Sequence, residues 1–193
     1  MENYSEMQKK IVAASVNIMA VEGFYNLTIK NIARRIGVTD GAIYKHFESK
    51  DDILLGIISY FKALFESYIR FVKSSSKPAF ELLHDLILEK CTRIAKNPDL
   101  LSQVHFLYDM KGEAEFVFRI KTFLDDYRDI VVELIQTSQH EGKLRKDVSA
   151  NYIYFTIEGT VDRVITKWDV SKRSFDLVTE IENLWIYLIK ICG

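Results

Sequence analysis

From Thr39 to Lys50 the chain reads TDGAIYKHFESK, a run equipped for hydrogen bonding and charge rather than for bond making. Thr39 and Tyr44 bring hydroxyls, Asp40 a carboxylate, Lys45 and Lys50 ammonium groups and His46 an imidazole, while Gly41 and Ala42 bring almost no bulk. Ile43 and Phe47, four residues apart, fall on one helical face and anchor it inward, leaving the polar and small residues outward. Such a helix can approach the floor of a DNA major groove, where Ala42 can meet a thymine methyl and Lys45 a base or a phosphate. Asp40 can accept from a cytosine amino group or simply start the helix, and the second role is preferred.

Two elements must hold that helix in place. Ile29, Ile32, Ala33 and Ile36 follow the i, i+3, i+4, i+7 spacing of a buried helical face. Gly37 can end that helix in a positive-φ turn, and Thr39 can cap the next one. Thr28 caps the first of the pair, so its hydroxyl and the neighbouring amides face a phosphate, with Lys30 in the same turn. Arg34 and Arg35 read as a solvated face or as salt-bridge partners. Ahead of this pair, Met7, Ile11, Ala14, Ile18 and Val21 mark an inward stripe on a bracing helix from Ser5 to Glu22, stopped by Gly23. Phe24, Tyr25 and Leu27 are expected to fill the corner, and Tyr4, Lys9 and Lys10 to be surface residues. Three helices with a tight glycine turn make a helix-turn-helix DNA reader.

The segment TIKNIARRIGVTDGAIYKHFESKDDIL, Thr28 to Leu54, also resembles the DNA-binding segment of TetR-type one-component transcriptional regulators. The resemblance is carried by Thr28, Ile32-Ala33, Gly37-Val38-Thr39, Gly41, Tyr44, His46-Phe47 and Ser49-Lys50. It implies that Tyr44, His46 and Lys50 contact phosphates, and that the rest of the chain is a helical small-molecule sensor and dimerisation body. The resulting expectation is an all-α protein of about nine helices. Residues 1–50 would form the three-helix DNA-binding domain and residues 51–193 the helical ligand-binding and dimerisation domain.

Bulk properties agree. A chain of 193 residues with 48% apolar residues can bury a real core. Residues 1–50 hold seven Lys/Arg against five Asp/Glu, and the remainder nineteen against twenty-two. The reading end is thus mildly positive and the body mildly negative, as a local DNA footprint requires. Cys91 and Cys192 have no metal-type spacing and read as core residues. No signal-peptide hydrophobic region or membrane-length apolar run occurs, so a cytoplasmic protein is expected. His46, His84, His105 and His140 form no metal spacing, and no nucleophile or phosphate-cradling motif is present. Neither an enzyme nor a cofactor or metal is expected.

Beyond the reader, helices are expected at 50–74, 78–96, 97–110, 113–140, 148–168 and 174–191. The SSSKP stretch at 74–78 is linker-like, with Pro78 opening a helix. Twelve of the 24 aromatic residues lie between Tyr60 and Tyr127. Phe61, Phe65, Tyr68, Phe106 and Phe123 are candidate ligand-lining residues, with His105, Asp109 and Arg119 as orienting polar groups beside Gln103, Glu158 and Arg163. An apolar cavity with one or two basic groups suits a lipid-like anion such as a fatty acid or acyl-CoA. Ile157, Val161, Ile165 and Trp168, with Leu184, Trp185 and Leu188 in the nearly all-apolar LWIYLIKIC run, are the candidate dimer interface. Gly159 would permit close approach. In the family these two helices form a four-helix bundle with a second subunit, which places two readers on successive major grooves of a near-palindromic operator. The expected function is a repressor released by its ligand. A helical adaptor or ligand-binding protein without operator-specific DNA binding is the competing reading.

Overall fold

The computed structural model describes residues 4–98, 100 and 114–193, and among them every regular element is helical. The chain forms two compact units, Met1–Ser67 with Asp99–Leu124, and Tyr68–Pro98 with Asp125–Gly193. The helix expected at 97–110 lies almost wholly outside the described residues. Among those residues, no helix is long and apolar enough to cross a membrane.

In the first unit, α1 spans Glu6–Glu22, α2 Ile29–Ile36 and α3 Asp40–Tyr44, and a single 3-10 turn at Phe24–Asn26 joins α1 to α2. A reciprocal capping box starts α1: the Gln8 amide N–H donates to the Ser5 hydroxyl, and the Ser5 N–H to the Gln8 side-chain oxygen. The inward stripe is broader than expected, because Val12, Ser15, Val16 and Met19 join Ile11, Ala14 and Ile18 in the core. Val21 corrects the expectation. It sits in the last turn, 66% exposed, because Gly23 at φ 87° takes the chain away before a neighbour can cover it. Tyr25, 90% exposed, likewise leaves the corner to Leu27. Gly37 adopts the left-handed conformation (φ 74°, ψ 38°) that ends α2 and turns the chain into α3.

Helix α4, Lys50–Lys73, begins with the expected box: the Ser49 amide donates to the Asp52 carboxylate at 3.0 Å and the Asp52 amide to the Ser49 hydroxyl at 3.1 Å. It runs without a break from the first unit into the second. Gly56 on α4 lies close against α1, since a Cβ built there would lie 2.8 Å from Cγ2 of the fully buried Val12. Gly56→Val is therefore expected to lower stability by about 1–3 kcal/mol through overpacking, despite valine's better helix propensity than glycine. Thermal unfolding measures it, and a midpoint equal to or above wild type would refute this packing.

The second unit contains α5 (Ala79–Lys96), the C-terminal part of α6 (Ala114–His140), α7 (Ala150–Val170) and α8 (Leu177–Cys192). Helix α8 packs on α5 and α7. It starts three residues later than expected. Lys172 and Arg173 take positive φ (58° and 62°) in a turn that contains no glycine, and Asp176 then caps α8 by accepting from the Thr179 amide at 2.7 Å. The Trp168 indole N–H donates to the Phe175 carbonyl at 3.0 Å and closes that turn. Between α6 and α7, the Gln139 amide donates to the carbonyls of Arg145 and Val148 at 2.7 and 2.8 Å. The loop thus has its own hydrogen bonds, and α7 starts only after Ser149.

Candidate functional site

In the first unit the reading helix is held from behind. Ile43 and Phe47 are buried and Ala42 and His46 half-buried, while Thr39, Asp40, Gly41, Tyr44 and Lys45 are exposed. The Gln8 side chain that completes the α1 box also donates to the His46 carbonyl at 3.2 Å, and the Tyr4 ring meets Phe47 edge-on at 6.1 Å. The start of α1 therefore grips the turn between α3 and α4. Tyr4 is half-buried in that grip rather than free on the surface, whereas Lys9 pairs with Glu6 at 2.8 Å on the surface.

Both threonine caps are formed. Thr28 Oγ1 accepts from the Asn31 amide at 3.2 Å and Thr39 Oγ1 from the Ala42 amide at 3.3 Å. Each bond uses a lone pair and leaves the hydroxyl proton available for a phosphate oxygen. Thr28, Lys30 and Lys50 are exposed, and the Lys50 ammonium lies over the Phe24 ring, 5.3 Å from its centroid. Arg35 is taken up by Asn17 and Glu22, and Arg34 bonds Asn31 at 3.2 Å. These two arginines bond within the chain, while Lys30, Lys45 and Lys50 are exposed cations of this surface.

Gly41 has open space around its Cβ position and no positive φ, so the fold itself does not demand glycine there. Gly41→Ala is expected to leave stability unchanged or raised by up to about 1 kcal/mol. If the helix enters a groove at this point, the added methyl weakens DNA binding while the thermal midpoint holds. Unaltered affinity would show that Gly41 does not face DNA.

The candidate ligand residues divide. Phe61 and Phe65 are buried in the first unit and Tyr68 in the second. Phe123 is half-buried and Arg119 exposed. His105, Phe106, Asp109 and Gln103 lie outside the described residues. Phe118, one of the twelve aromatics, is 71% exposed.

The structure adds a polar cluster that sequence reasoning saw only through Glu158. The Lys90 ammonium on α5 bonds Glu158 on α7 and lies 3.5 Å from Asp162, and the Tyr127 hydroxyl on α6 donates to Glu158 at 3.2 Å. Glu158 is only 8% exposed. Burial alone would lower the Lys90 pKa, but Glu158, Tyr127 and Asp162 around it raise it well above the usual lysine value. Burial, then the Glu158 carboxylate, pushes the Tyr127 phenol up. Burial likewise holds the Cys91 thiol at about 12, which keeps it protonated and unreactive. The missed signal was Lys90 itself, placed in register with the apolar Leu83, Ile87, Cys91 and Ile94.

Most of the candidate dimer residues lie inside the single chain. Ile157, Val161, Ile165, Trp168, Trp185 and Leu188 are all buried within the single chain, where Trp185 packs against Phe80 and His84, and Leu184 is half-buried. The apolar stripe of each helix serves the chain's own core. What remains outside is the opposite face: Tyr152, Phe155 and Val170 on α7, and Ile186, Tyr187 and Ile191 on α8, each more than half exposed. Gly159 is exposed with nothing near its Cβ position. A groove of about 450 Å³ lined by Val164, Glu180, Asn183, Leu184, Ile186, Tyr187 and Lys190 runs along this face.

Comparison with known proteins agrees with this geometry. Residues 11–57 match the profile of bacterial regulatory proteins of the tetR family, and residues 62–191 match that of the YsiA-like protein C-terminal region. The fatty acid metabolism regulator protein of Bacillus subtilis (strain 168) is 27% identical over 175 residues, covering 88% of this chain and 87% of that protein. The crystal structure of a transcriptional regulator FadR from Bacillus subtilis in complex with stearoyl-CoA superposes with a TM-score of 0.73 at 26% identity, covering 94% of this chain and 97% of that one. The fatty acid degradation regulator FadR from Bacillus halodurans shares the fold, with a TM-score of 0.76 at 24% identity over 97% and 96% of the two chains. With its helix-turn-helix and helical second part both matched, this chain belongs to the tetR family of bacterial regulatory proteins, DNA-binding transcriptional regulators rather than enzymes.

Proposed function

We propose that the chain is a cytoplasmic homodimeric repressor that binds a near-palindromic operator and is released when a long-chain acyl-CoA enters its C-terminal part. The observation that carries the effector class is the relative of matching length and fold that holds stearoyl-CoA. Residues 1–50 act as the reader. Thr28, Lys30, Thr39, Tyr44, His46 and Lys50 take phosphates, while Gly41, Ala42 and Lys45 approach base edges, and Asp40 starts the helix. Residues 51–193 act as the sensor and dimer body, with Phe61, Phe65, Tyr68 and Phe123 among the apolar groups available to an acyl chain. The outward faces of α7 and α8 meet their copies in a second subunit and set the spacing of the two readers.

Release follows from differential affinity: a ligand that prefers one arrangement of the sensor shifts the population toward it. Because α4 is one continuous helix of 24 residues, a displacement of its C-terminal half is carried to the reader at its start. Two recognition helices moved apart no longer fit one rigid palindrome. Fluorescence anisotropy with DNA from the upstream region of the protein's own gene, at several salt concentrations and with stearoyl-CoA added, tests this. Nanomolar, salt-sensitive binding that stearoyl-CoA reverses is expected. Tight binding indifferent to stearoyl-CoA would remove the effector assignment. Binding no tighter than to random DNA, in a genome-wide selection of bound sequences as well, would favour the adaptor reading.

A further inference from the structure

The outer faces of α7 and α8 carry complementary patterns. On α7, Phe155, Gly159, Arg163 and Lys167 follow one another at steps of four, on the side away from the buried Ile157, Val161 and Ile165. Read toward the C-terminus, this face is aromatic, then bare of a side chain, then basic. On α8 the order is acidic, then bulky, then aliphatic: Glu180 in the first turn, Tyr187 in the middle and Ile191 near the end, all exposed. The two helices pack on each other and are joined by the turn at 171–176, so distance from that turn measures height along the pair. Lys167 and Glu180 each lie three residues from the helix end beside it, Gly159 and Tyr187 eleven and ten, and Phe155 and Ile191 fifteen and fourteen. At about 1.5 Å per residue, the members of each couple stand within about 2 Å of one height.

The chain itself does not account for Gly159. Glycine weakens a helix interior relative to alanine, yet Gly159 is exposed, has no positive φ and has open space where a Cβ would stand. Beside it a groove of about 430 Å³, lined by Thr160, Arg163, Val164, Lys167 and Val170, opens along the C-terminal half of α7 and shares Val164 with the groove along α8. The Lys167 ammonium also rests over the Phe175 ring at 5.7 Å, which makes Arg163 the more available of the two cations.

Twofold symmetry restricts how two such helix pairs can meet. With the axis along the helices, equal heights face each other and α7 lies antiparallel on α8 of the second copy. Basic side chains then meet the acidic first turn, the bare stretch meets the tyrosine ring and the aromatic end meets isoleucine. The other pairings fail on charge or on volume. Laid parallel on its own copy, α7 stacks cation on cation. Laid antiparallel on its own copy, it sets glycine against glycine while tyrosine meets tyrosine, small on small and bulk on bulk. Laid parallel on the second copy's α8, it brings its cations to Lys190 of the partner subunit. We propose that the dimer closes by the antiparallel α7–α8 packing, with Arg163 and Lys167 opposite Glu180 of the partner subunit and Gly159 beneath Tyr187 of the partner subunit, and that these contacts restrict pairing to a second copy of this chain. This arrangement rests on the homodimer reading above and names the residues that choose the partner.

Charge reversal tests it. Sedimentation equilibrium is run on the wild type, on Arg163→Glu/Lys167→Glu, on Glu180→Lys and on an equimolar mixture of the two variants. All three positions are exposed, and circular dichroism checks that each variant keeps its helix content. Each variant alone is expected to raise the dimer dissociation constant by at least roughly tenfold, because like charges then face each other twice across the axis. The mixture is expected to recover wild-type affinity as a heterodimer, which a general loss of folding could not produce. Crosslinking fixes the geometry. Gly159→Cys mixed with Tyr187→Cys and treated with a short bismaleimide is expected to give a covalent dimer. Gly159→Cys alone should give no more than the wild type, whose two cysteines are buried. Variants that dimerise like the wild type, or a mixture that does not recover, overturn these contacts and leave the homodimer reading standing. Gly159→Cys crosslinking to itself would show α7 lying on its own copy and overturn the α7–α8 packing. A wild type that is monomeric at micromolar concentration overturns both and assigns this face to a different partner.

Discussion

Ile186→Asp is expected to convert the protein to a monomer in sedimentation at micromolar concentration and to weaken operator binding by at least about a hundredfold. Ile186 is 54% exposed on the outer face of α8, flanked by Tyr187 and Ile191 at 64% and 59%, so the chain's own core loses nothing by the change. We read an exposed apolar face of this kind as an association surface. A carboxylate buried there without a partner costs several kcal/mol, and twofold symmetry introduces two of them at once. The effect on DNA is then a matter of valency. Two readers held together bind the second half-site at high effective concentration, and separated readers each keep only their own contacts. Circular dichroism should show unchanged helix content. Trp185→Ala is the contrast. Trp185 is 7% exposed and packed on Phe80 and His84, so its loss destabilises the folded chain by about 3–5 kcal/mol rather than selectively breaking the dimer. An Ile186→Asp protein that stays dimeric would place the interface elsewhere.

Lys90→Met should destabilise the protein by about 3–5 kcal/mol at neutral pH, because it leaves the Glu158 carboxylate buried with only the Tyr127 hydroxyl for support. The pH dependence identifies the cause. In the wild type the raised Lys90 pKa contributes stability that is fully present below the ordinary lysine range near 10.4 and is lost as pH rises through the higher folded value. In the variant the lone buried carboxylate favours its protonated form, so its folded pKa lies above the unfolded one. Its penalty is then absent in acid and grows as pH rises. Denaturant midpoints measured from pH 5 to 8 should therefore fall with rising pH in Lys90→Met relative to wild type, and Lys90→Met/Glu158→Gln should remove that relative slope. A parallel pair of profiles for Lys90→Met and wild type would mean that Glu158 finds another partner and that the cluster is not a closed electrostatic unit.

The reader was legible almost residue by residue because it is built from local rules. Thr28, Thr39 and Ser49 cap the helices that follow them, Gly37 takes the left-handed turn, and Ile43 and Phe47 anchor inward, all within a few residues of sequence. Spacing along one helix contains that information. What spacing did not contain was which of several neighbours covers a given face. Val21 lies in register with Ile11, Ala14 and Ile18, yet it is left 66% exposed. The Gln8 bond to the His46 carbonyl joins residues 38 positions apart, so no local pattern announces it.

The same limit explains the second unit. Periodicity identified apolar stripes on α7 and α8 correctly, but a stripe does not say whether it meets its own chain or another. Packing decided that Ile157, Val161, Ile165, Trp168, Trp185 and Leu188 are internal, and it left Tyr152, Phe155, Ile186, Tyr187 and Ile191 outside. Glu158 looked like one polar residue among several. Only the fold brings Lys90 from α5 and Tyr127 from α6 to Glu158 and its helix neighbour Asp162, turning a surface-like residue into a buried ion-pair partner. Sequence by itself determined the helices, their caps and the exposed polar side of α3, since hydrogen bonds and side-chain periods act over three or four residues. Tertiary structure decided which faces are core, which are free and where charge is buried, because those depend on contacts between helices far apart in the chain.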